Sequence, residues 1–343
     1  MLGIKVKKEN AERLRRILNE RGWLSKEYKI FGGNLYIYFP LTAPPDVKHA
    51  GALRALGAET VSRSFTPLKR EKSYPELMQK IWDAAPDAVR GYEALGGIAI
   101  VDAPPSVAKK AAAAILRTNS SIRTVLRKAG AVKGRFRIRK FHYVAGKKDY
   151  VASYKENGCE FRFDIRTSFF STRLAFERKR VAGLVKEGEN VMVMFSGVGP
   201  FAIEIAKAHP GCRVVGIELN KAAHKAALAN KKLNRTENVT LVQGDVKKLA
   251  PEYEGFADRI VMPLPKGASR FLGEALLVAK DRCVVHYYTF CRADREEETV
   301  RKIGEFVESR GRRFKVLAKR LVRPYSSTEI EIVVDFLASR QRI

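Results

Sequence analysis

Hydrophobic and polar positions change rhythm twice along the chain. Between residues 10 and 22 (NAERLRRILNERG), Leu14, Ile17 and Leu18 recur at helical spacing and Gly22 supplies a stop, after which Asn34-Leu-Tyr-Ile-Tyr-Phe alternates as a short strand does. These predict a small α/β module that ends near residue 65, because Ser64-Phe-Thr-Pro-Leu-Lys-Arg-Glu-Lys-Ser is polar and aperiodic. A second unit follows, with helices over 74–84 and 106–118, a strand over 98–101, and strand-like segments over 121–125, 135–143 and 160–165. From Leu174 onward apolar strands (190–195, 213–218, 239–243, 259–262, 282–289) alternate with helices (after Pro200, then 221–233, 268–280, 295–310), and two strands close the chain. That order is the signature of a doubly wound α/β sheet with crossover helices. The expected domains are 1–65, 66–173 and 174–343.

The 343 residues are 45% hydrophobic and 30% charged, enough apolar surface for a core in each domain and too little continuous apolar chain for a membrane span. The amino terminus is basic but has no apolar stretch behind it, so no secretory signal is read there and a cytoplasmic address is expected. Cys159, Cys212, Cys283 and Cys291 form no C-x-x-C pair, and the five histidines form no H-x-x-x-H, so a reducing compartment and no metal are expected. Sixty-five Lys and Arg against 37 Asp and Glu give a net charge of +28, which makes a polyanion the default partner. An ion-paired surface of the heat-adapted kind accounts for charge alone. It does not account for Ala103–Lys148, where 13 Lys and Arg meet no acid. In Gly134-Arg-Phe-Arg-Ile-Arg-Lys-Phe, strand alternation puts Arg135, Arg137 and Arg139 on one face, with Lys140 on the other, and a row of guanidinium groups suits phosphates or guanine edges.

The strongest chemical motif is Val193-Met-Phe-Ser-Gly-Val-Gly-Pro-Phe-Ala, where Gly197-x-Gly199-x-x-Ala202 lies between an apolar strand and a helix. An ordinary glycine-rich turn satisfies the glycines, and dinucleotide enzymes share the pattern. Two further strands end in acids, Glu218 and Asp245. Ligands of open α/β sheets bind beyond such strand ends, and two successive acids suit a nucleoside whose ribose and adenine amino group both donate hydrogen bonds. This favours S-adenosylmethionine over a dinucleotide.

With these stretches together, the chain resembles the archaeal and eukaryotic tRNA (guanine-37-N1)-methyltransferases, most of all the archaeal b-type with its small amino-terminal domain. The resemblance rests on Arg123-Thr-Val-Leu-Arg-Lys, Phe136-Arg-Ile-Arg-Lys, Lys155-Glu-Asn-Gly, Phe170-Ser-Thr-Arg-Leu-x-x-Glu177-Arg178, Phe195-Ser-Gly-Val-Gly-Pro-Phe, Leu264-Pro-Lys and His286-Tyr-Tyr-Thr. It implies a Rossmann-like (class I) methyltransferase domain, a basic α/β RNA-binding domain and a small amino-terminal α/β domain that touches the tRNA elbow. It also implies action on the anticodon loop; a monomer is expected.

The implied reaction moves a methyl group from S-adenosylmethionine to N1 of the guanine at position 37. That nitrogen carries a proton at neutral pH, and removing it pushes negative charge onto O6, so the chemistry needs a base and a cation. By resemblance Glu177 is the base and Arg137 the donor to O6. A glutamate on a helix surface paired with Arg178 or Arg180, and an arginine on a phosphate, are the plainer roles. Phe169, Arg173, Phe195, Gly197, Gly199, Glu218, Asn220 and Asp245 carry over to the methyl-donor pocket, and Arg135, Arg139, Lys140, Pro263, Pro265 and Lys266 to the RNA side. The chain departs from the family pattern at Val193 (usually Asp), Phe169 (usually Tyr) and Pro263 (usually Asn). Proline has no amide to offer a base. His286 and Tyr287 lie in an apolar strand and read as packing. Two rivals stand beside this reading: a wyosine-type enzyme acting at position 37 with the same fold, and a non-catalytic tRNA-binding protein.

Overall fold

The structure, a computed structural model, describes residues 1–68, 73–84, 91–130, 134–136 and 138–340. The chain divides into two compact units, Met1–Ser73 and Tyr74–Ile343.

In the first unit, β1 (Leu2–Lys7) is a central strand, in a sheet whose other members are β2 (Phe31–Gly32), β3 (Tyr36–Pro40) and β4 (Glu59–Ser62), in the order β2-β3-β1-β4. Ile4 and Val6 point inward onto Leu14 and Leu18 of α1 (Ala11–Glu20) and Leu53 of α2 (Ala50–Ala55), while Lys5 pairs with Glu59 outside. Burying each such side chain contributes about 1.5–3 kcal/mol. The unit runs past residue 65 because hydrogen bonds from Lys29 N–H to Thr66 and from Leu68 N–H to Glu27 tie the following segment to it.

The second unit starts with α3 (Tyr74–Ala84). It continues with a four-stranded sheet in the order β5 (Tyr92–Leu95), β6 (Ile98–Val101), β7 (Thr124–Lys128), β8 (Phe141–Gly146). Parallel β6 and β7 are joined by α4 (Pro105–Thr118), which buries an alanine-rich face and Ile115 against the sheet. The hairpin of β9 (Val151–Glu156) and β10 (Cys159–Asp164) then packs on both neighbours. Its Phe161 and Phe163 share a core with Leu95, Ile98, Leu126, Val198 and Ile203.

A seven-stranded sheet completes the unit: β11 (Asn190–Met194), β12 (Arg213–Glu218), β13 (Val239–Gln243), β14 (Ala257–Met262), β15 (Ala279–Arg292), β16 (Arg312–Pro324) and β17 (Glu329–Arg340). The spatial order is β13-β12-β11-β14-β15-β17-β16. All neighbours are parallel as far as β15, and both pairs involving β17 are antiparallel. The helices α5 (Ala175–Leu184), α6 (Pro200–Ala208), α7 (Lys221–Asn234), α8 (Val246–Leu249), α9 (Leu272–Val278) and α10 (Glu296–Glu308) connect the strands. Val191, Met192, Val193 and Met194 of β11 are fully buried, the continuous apolar run expected of a strand covered on both faces. Val193, where the family usually has Asp, is thus a core side chain. Among the described residues, no helix is long and apolar enough to cross a membrane.

Candidate methyl-donor and RNA-binding cleft

A cavity of about 1090 Å³ opens beyond the carboxyl ends of the parallel strands, where open α/β sheets bind their ligands. Single small-molecule sites fill roughly 300–1,000 Å³, so a cavity of this size suits a donor and an acceptor together.

Its first part is built on β11, β12 and β13. After β11 the chain turns through Phe195 (φ 58°), Gly197 (φ 58°) and Gly199 (φ 90°), and Gly199 caps α6. A Cβ on Gly199 would lie 2.9 Å from Ile203 Cδ1, so glycine serves both the left-handed backbone and the tight helix packing. Phe195, strained by its positive φ, sits edge-on to Phe271 at 4.8 Å. Glu218 ends β12, where Gly197 N–H donates to Oε2 and Asn220 N–H to Oε1, both at 2.7 Å. Burial pushes its carboxyl above the ordinary value against those amides. Asn220 caps α7 through Ala222 N–H (3.0 Å) and donates to the Thr167 carbonyl (2.7 Å).

Asp245 follows β13. Burial would raise its carboxyl, but the Lys247 amide and the Arg135 guanidinium, 2.9 Å away, outweigh that and hold it below the ordinary value. A half-buried carboxylate bracketed by backbone N–H groups beside a bare glycine turn fits the ribose of a nucleoside donor, and Asp245 one strand further fits its base. Phe169 and Arg173, both exposed, complete this wall.

The cavity continues over β14, β15 and β16, lined by Pro263, Leu264 and Lys266, then Phe290, then Arg323 and Tyr325. Among the described residues, eight cationic side chains line the cavity (Lys128, Arg135, Arg139, Arg173, Lys247, Lys266, Arg270, Arg323) against three acids (Glu93, Glu218, Asp245). This is the electrostatic character of a polyanion site.

The basic run enters the cavity differently from the alternation reading. Residues 134–136 form a turn and the strand starts at Phe141, so the described arginines do not stand in a row on a strand. Gly134 takes a left-handed φ of 74° and lets Arg135 reach Asp245, and Arg139 lies on the same wall. Arg137 lies outside the described residues. Lys140 is exposed and off the cavity wall, with its carbonyl bonded to Ala129 N–H, and buried Pro265 contributes a carbonyl to Phe290 N–H at 3.4 Å.

Glu177 is buried and is not among the residues that line the cavity. Its side chain is 5% exposed and takes hydrogen bonds from Arg180 Nε (2.9 and 3.1 Å) and the Tyr288 hydroxyl (3.0 Å), with Arg320 3.8 Å away. Arg180 also reaches Asp335 at 2.6 Å, and Asp335 accepts from His286 Nδ1 at 2.7 Å. Arg259 can only donate, so its contact with His286 Nε2 (2.9 Å) fixes the proton of a neutral imidazole on Nδ1. Burial lowers the His286 pKa against the pull of Asp335. The sequence reading of His286 as packing holds for its burial and misses this polar chain, whose contacts span 155 and 49 residues in sequence.

At the other end of the sheet Glu187, His209 and Cys212 bring ligand-type atoms within 4.8 Å of one another. Each already has a protein partner: Glu187 pairs with His209, His209 Nε2 meets the Ala182 carbonyl and Cys212 Sγ the Lys186 carbonyl.

Residues 152–317 match the TRM5/TYW2 methyltransferase domain, 3–49 the tRNA methyltransferase 5 N-terminal domain and 74–149 the TYW2 N-terminal domain. The chain is 34% identical over 342 residues to tRNA (guanine(37)-N(1))-methyltransferase Trm5b of Pyrococcus abyssi, covering 98% of this chain and 99% of that one. The chain belongs to the Trm5b family. It is also 33% identical over 267 residues to tRNA 4-demethylwyosine(37)-methyltransferase Taw21 of Saccharolobus solfataricus, covering 77% of this chain and 99% of the relative. A solved complex of aTrm5 and tRNALeu superposes with a TM-score of 0.77 at 27% identity, covering 98% of this chain and 99% of that one. As a Trm5b-family protein it is an S-adenosylmethionine-dependent methyltransferase, and the glycine turn and strand-end acids are the groups that fit that donor.

Replacing the Glu218 carboxylate should show most directly in donor binding. We expect Glu218→Ala to raise the calorimetric Kd for S-adenosylmethionine by about 10- to 100-fold, the loss of charge-assisted hydrogen bonds. An unchanged Kd in folded protein would remove Glu218 from the pocket.

Proposed function

We propose that this protein methylates N1 of guanine 37 in tRNA, with Glu177 as the base and Arg137 as the donor to O6. The observation that carries the reading is the division of one cavity along the sheet. Nucleoside-type acids sit at the carboxyl ends of β12 and β13, and a cationic, aromatic extension lies over β14 to β16, in a chain that matches Trm5b over nearly its full length. When bound, S-adenosylmethionine supplies an electrophilic methyl group on its sulfonium. Glu218 holds the ribose end and Asp245 the adenine end. Guanine enters from the Pro263 side, and Arg139, Lys266 and Arg270 neutralise the phosphates that come with it.

Removal of the N1 proton leaves a lone pair on nitrogen and charge on O6, which a guanidinium stabilises as it develops. For Glu177 to take that proton, it must exchange its Arg180 pair for the base. Arg180 keeps Asp335 during the exchange, so no buried guanidinium is left uncompensated. The basic domain takes the anticodon loop and the amino-terminal unit the tRNA elbow. Four free, buried cysteines fit the reducing cytoplasm.

Pro263 favours a second reading, because it removes an amide from the acceptor side, and a wyosine-modifying relative covers 77% of the chain. Labelled S-adenosylmethionine, unmodified tRNA with guanine or adenine at position 37, tRNA carrying a wyosine precursor there, and mass spectrometry of the nucleosides separate the two. Formation of 1-methylguanosine with guanine only is the expected result. Modification of a wyosine precursor and not of guanine transfers the assignment to the second reading, and no donor binding with or without tRNA leaves a non-catalytic RNA-binding protein.

A further inference from the structure

The sheet serves as a ruler for the cleft. Neighbouring strands lie about 4.8 Å apart, so the four steps from β11 through β14, β15 and β17 to β16 carry the cavity roughly 19 Å beyond the glycine turn. Methyl transfer brings donor and acceptor atoms to about 3–3.5 Å, which places the methylated base over β14 and β15. The far end of the cavity, at Arg323 and Tyr325, therefore lies beyond the reacting base, yet it is a built surface. The Phe290 and Tyr325 rings pack against each other with centroids 4.2 Å apart and their planes tilted by 37°, and Tyr325 is 50% exposed. Arg323 Nε donates to Glu331 Oε2 at 2.7 Å, and the Glu331 side chain is only 2% exposed. A buried carboxylate thus fixes a guanidinium beside the ring, its centre 5.8 Å from the Tyr325 centroid. The pair engages Nε, and the planar Nη groups suit bidentate contact with a phosphate.

We propose that Tyr325, backed by Phe290 and flanked by Arg323, is a stacking subsite for the nucleotide next to the methylated guanine, with Arg323 on its phosphate. A guanine whose N1 is to be methylated must leave its stack, and that costs free energy that its neighbours also lose. A half-exposed aromatic ring returns stacking to one neighbour whatever its base, because every base has a π-face. This rests on the RNA-methylating reading above, and the two are separable because the test reads binding as well as turnover.

The experiment measures the Kd of the full-length protein for a tRNA transcript by fluorescence anisotropy. Wild type, Tyr325→Ala and Tyr325→Trp are each titrated with transcripts that are intact or abasic at position 36 or 38. Tyr325→Ala should weaken binding of intact tRNA by roughly 5- to 100-fold, and Tyr325→Trp should restore it. One abasic transcript should cost wild type the same factor and cost Tyr325→Ala nothing more. The subsite is overturned if neither abasic position weakens binding to wild type, or if the Tyr325→Ala penalty persists on both. Wild type that binds in this pattern but forms no 1-methylguanosine rejects the function and keeps the subsite.

Discussion

Glu177→Gln should lower the single-turnover rate of methyl transfer by about 10²- to 10⁴-fold while leaving the Kd for tRNA and for S-adenosylmethionine within about threefold. The geometry makes this substitution a clean one. Gln keeps the volume and still accepts from the Tyr288 hydroxyl, now 3.0 Å from a Glu177 oxygen, and Arg180 retains Asp335 at 2.6 Å. The fold should persist at a cost of about 1–3 kcal/mol for the weakened Arg180 contact. A purely structural Glu177, the plainer role given to it by its buried pairing with Arg180, gives the opposite pattern: a lower Tm with an unchanged single-turnover rate in protein still folded. That result would reject Glu177 as the base and turn attention to Glu93, an acid that does line the cavity.

What the sequence conveyed was mainly local. Period-two and 3.6-residue patterns located the Rossmann-like strands and most helices to within a few residues, because β11 to β15 are apolar runs flanked by clear turns. The same alternation was present in Ile4 and Val6, and β1 went unread because its exposed face carries lysines that resemble a basic tail. Arg135 and Phe136 fit a strand pattern equally well and lie in a turn instead, because Arg135 finds Asp245 110 residues away and no periodicity encodes that contact. The glycine turn, Glu218 and Asp245 were legible because strand-end positions are fixed by the strands. Arg323 and Tyr325 were not, since only the antiparallel return of β16 and β17 beside β15 brings them to the cavity.

Substituting Glu204 with Gln should remove a pH dependence from the folding of the second unit. Arg178, 2% exposed, lies between two carboxylates that are equally buried: Glu156 at 2.6 Å from its Nε and Glu204 at 3.4 Å. Asn157 Nδ2 also donates to Glu204 at 2.8 Å, so the triad ties the turn of the β9–β10 hairpin to α5 and α6. One guanidinium cannot neutralise two buried carboxylates, and one of them holds its proton. Burial, opposed by Arg178 and reinforced by the Glu156 carboxylate, pushes Glu204 up to about 8 from 4.5.

The folded state therefore keeps a proton that the unfolded chain has released between those two values, so the unfolded state binds fewer protons there. Stability from this group is complete below the unfolded value and falls as pH rises toward about 8. The slope is at most about 1.4 kcal/mol per pH unit. Gln is neutral throughout and should be free of that loss, so Tm of Glu204→Gln minus Tm of wild type should grow by about 2 °C per unit between pH 5 and pH 8. Taking the difference cancels every titration the two proteins share. A Tm difference that stays flat across this range shows both carboxylates charged around Arg178, and the hairpin is then held by an ion triad with a net negative charge.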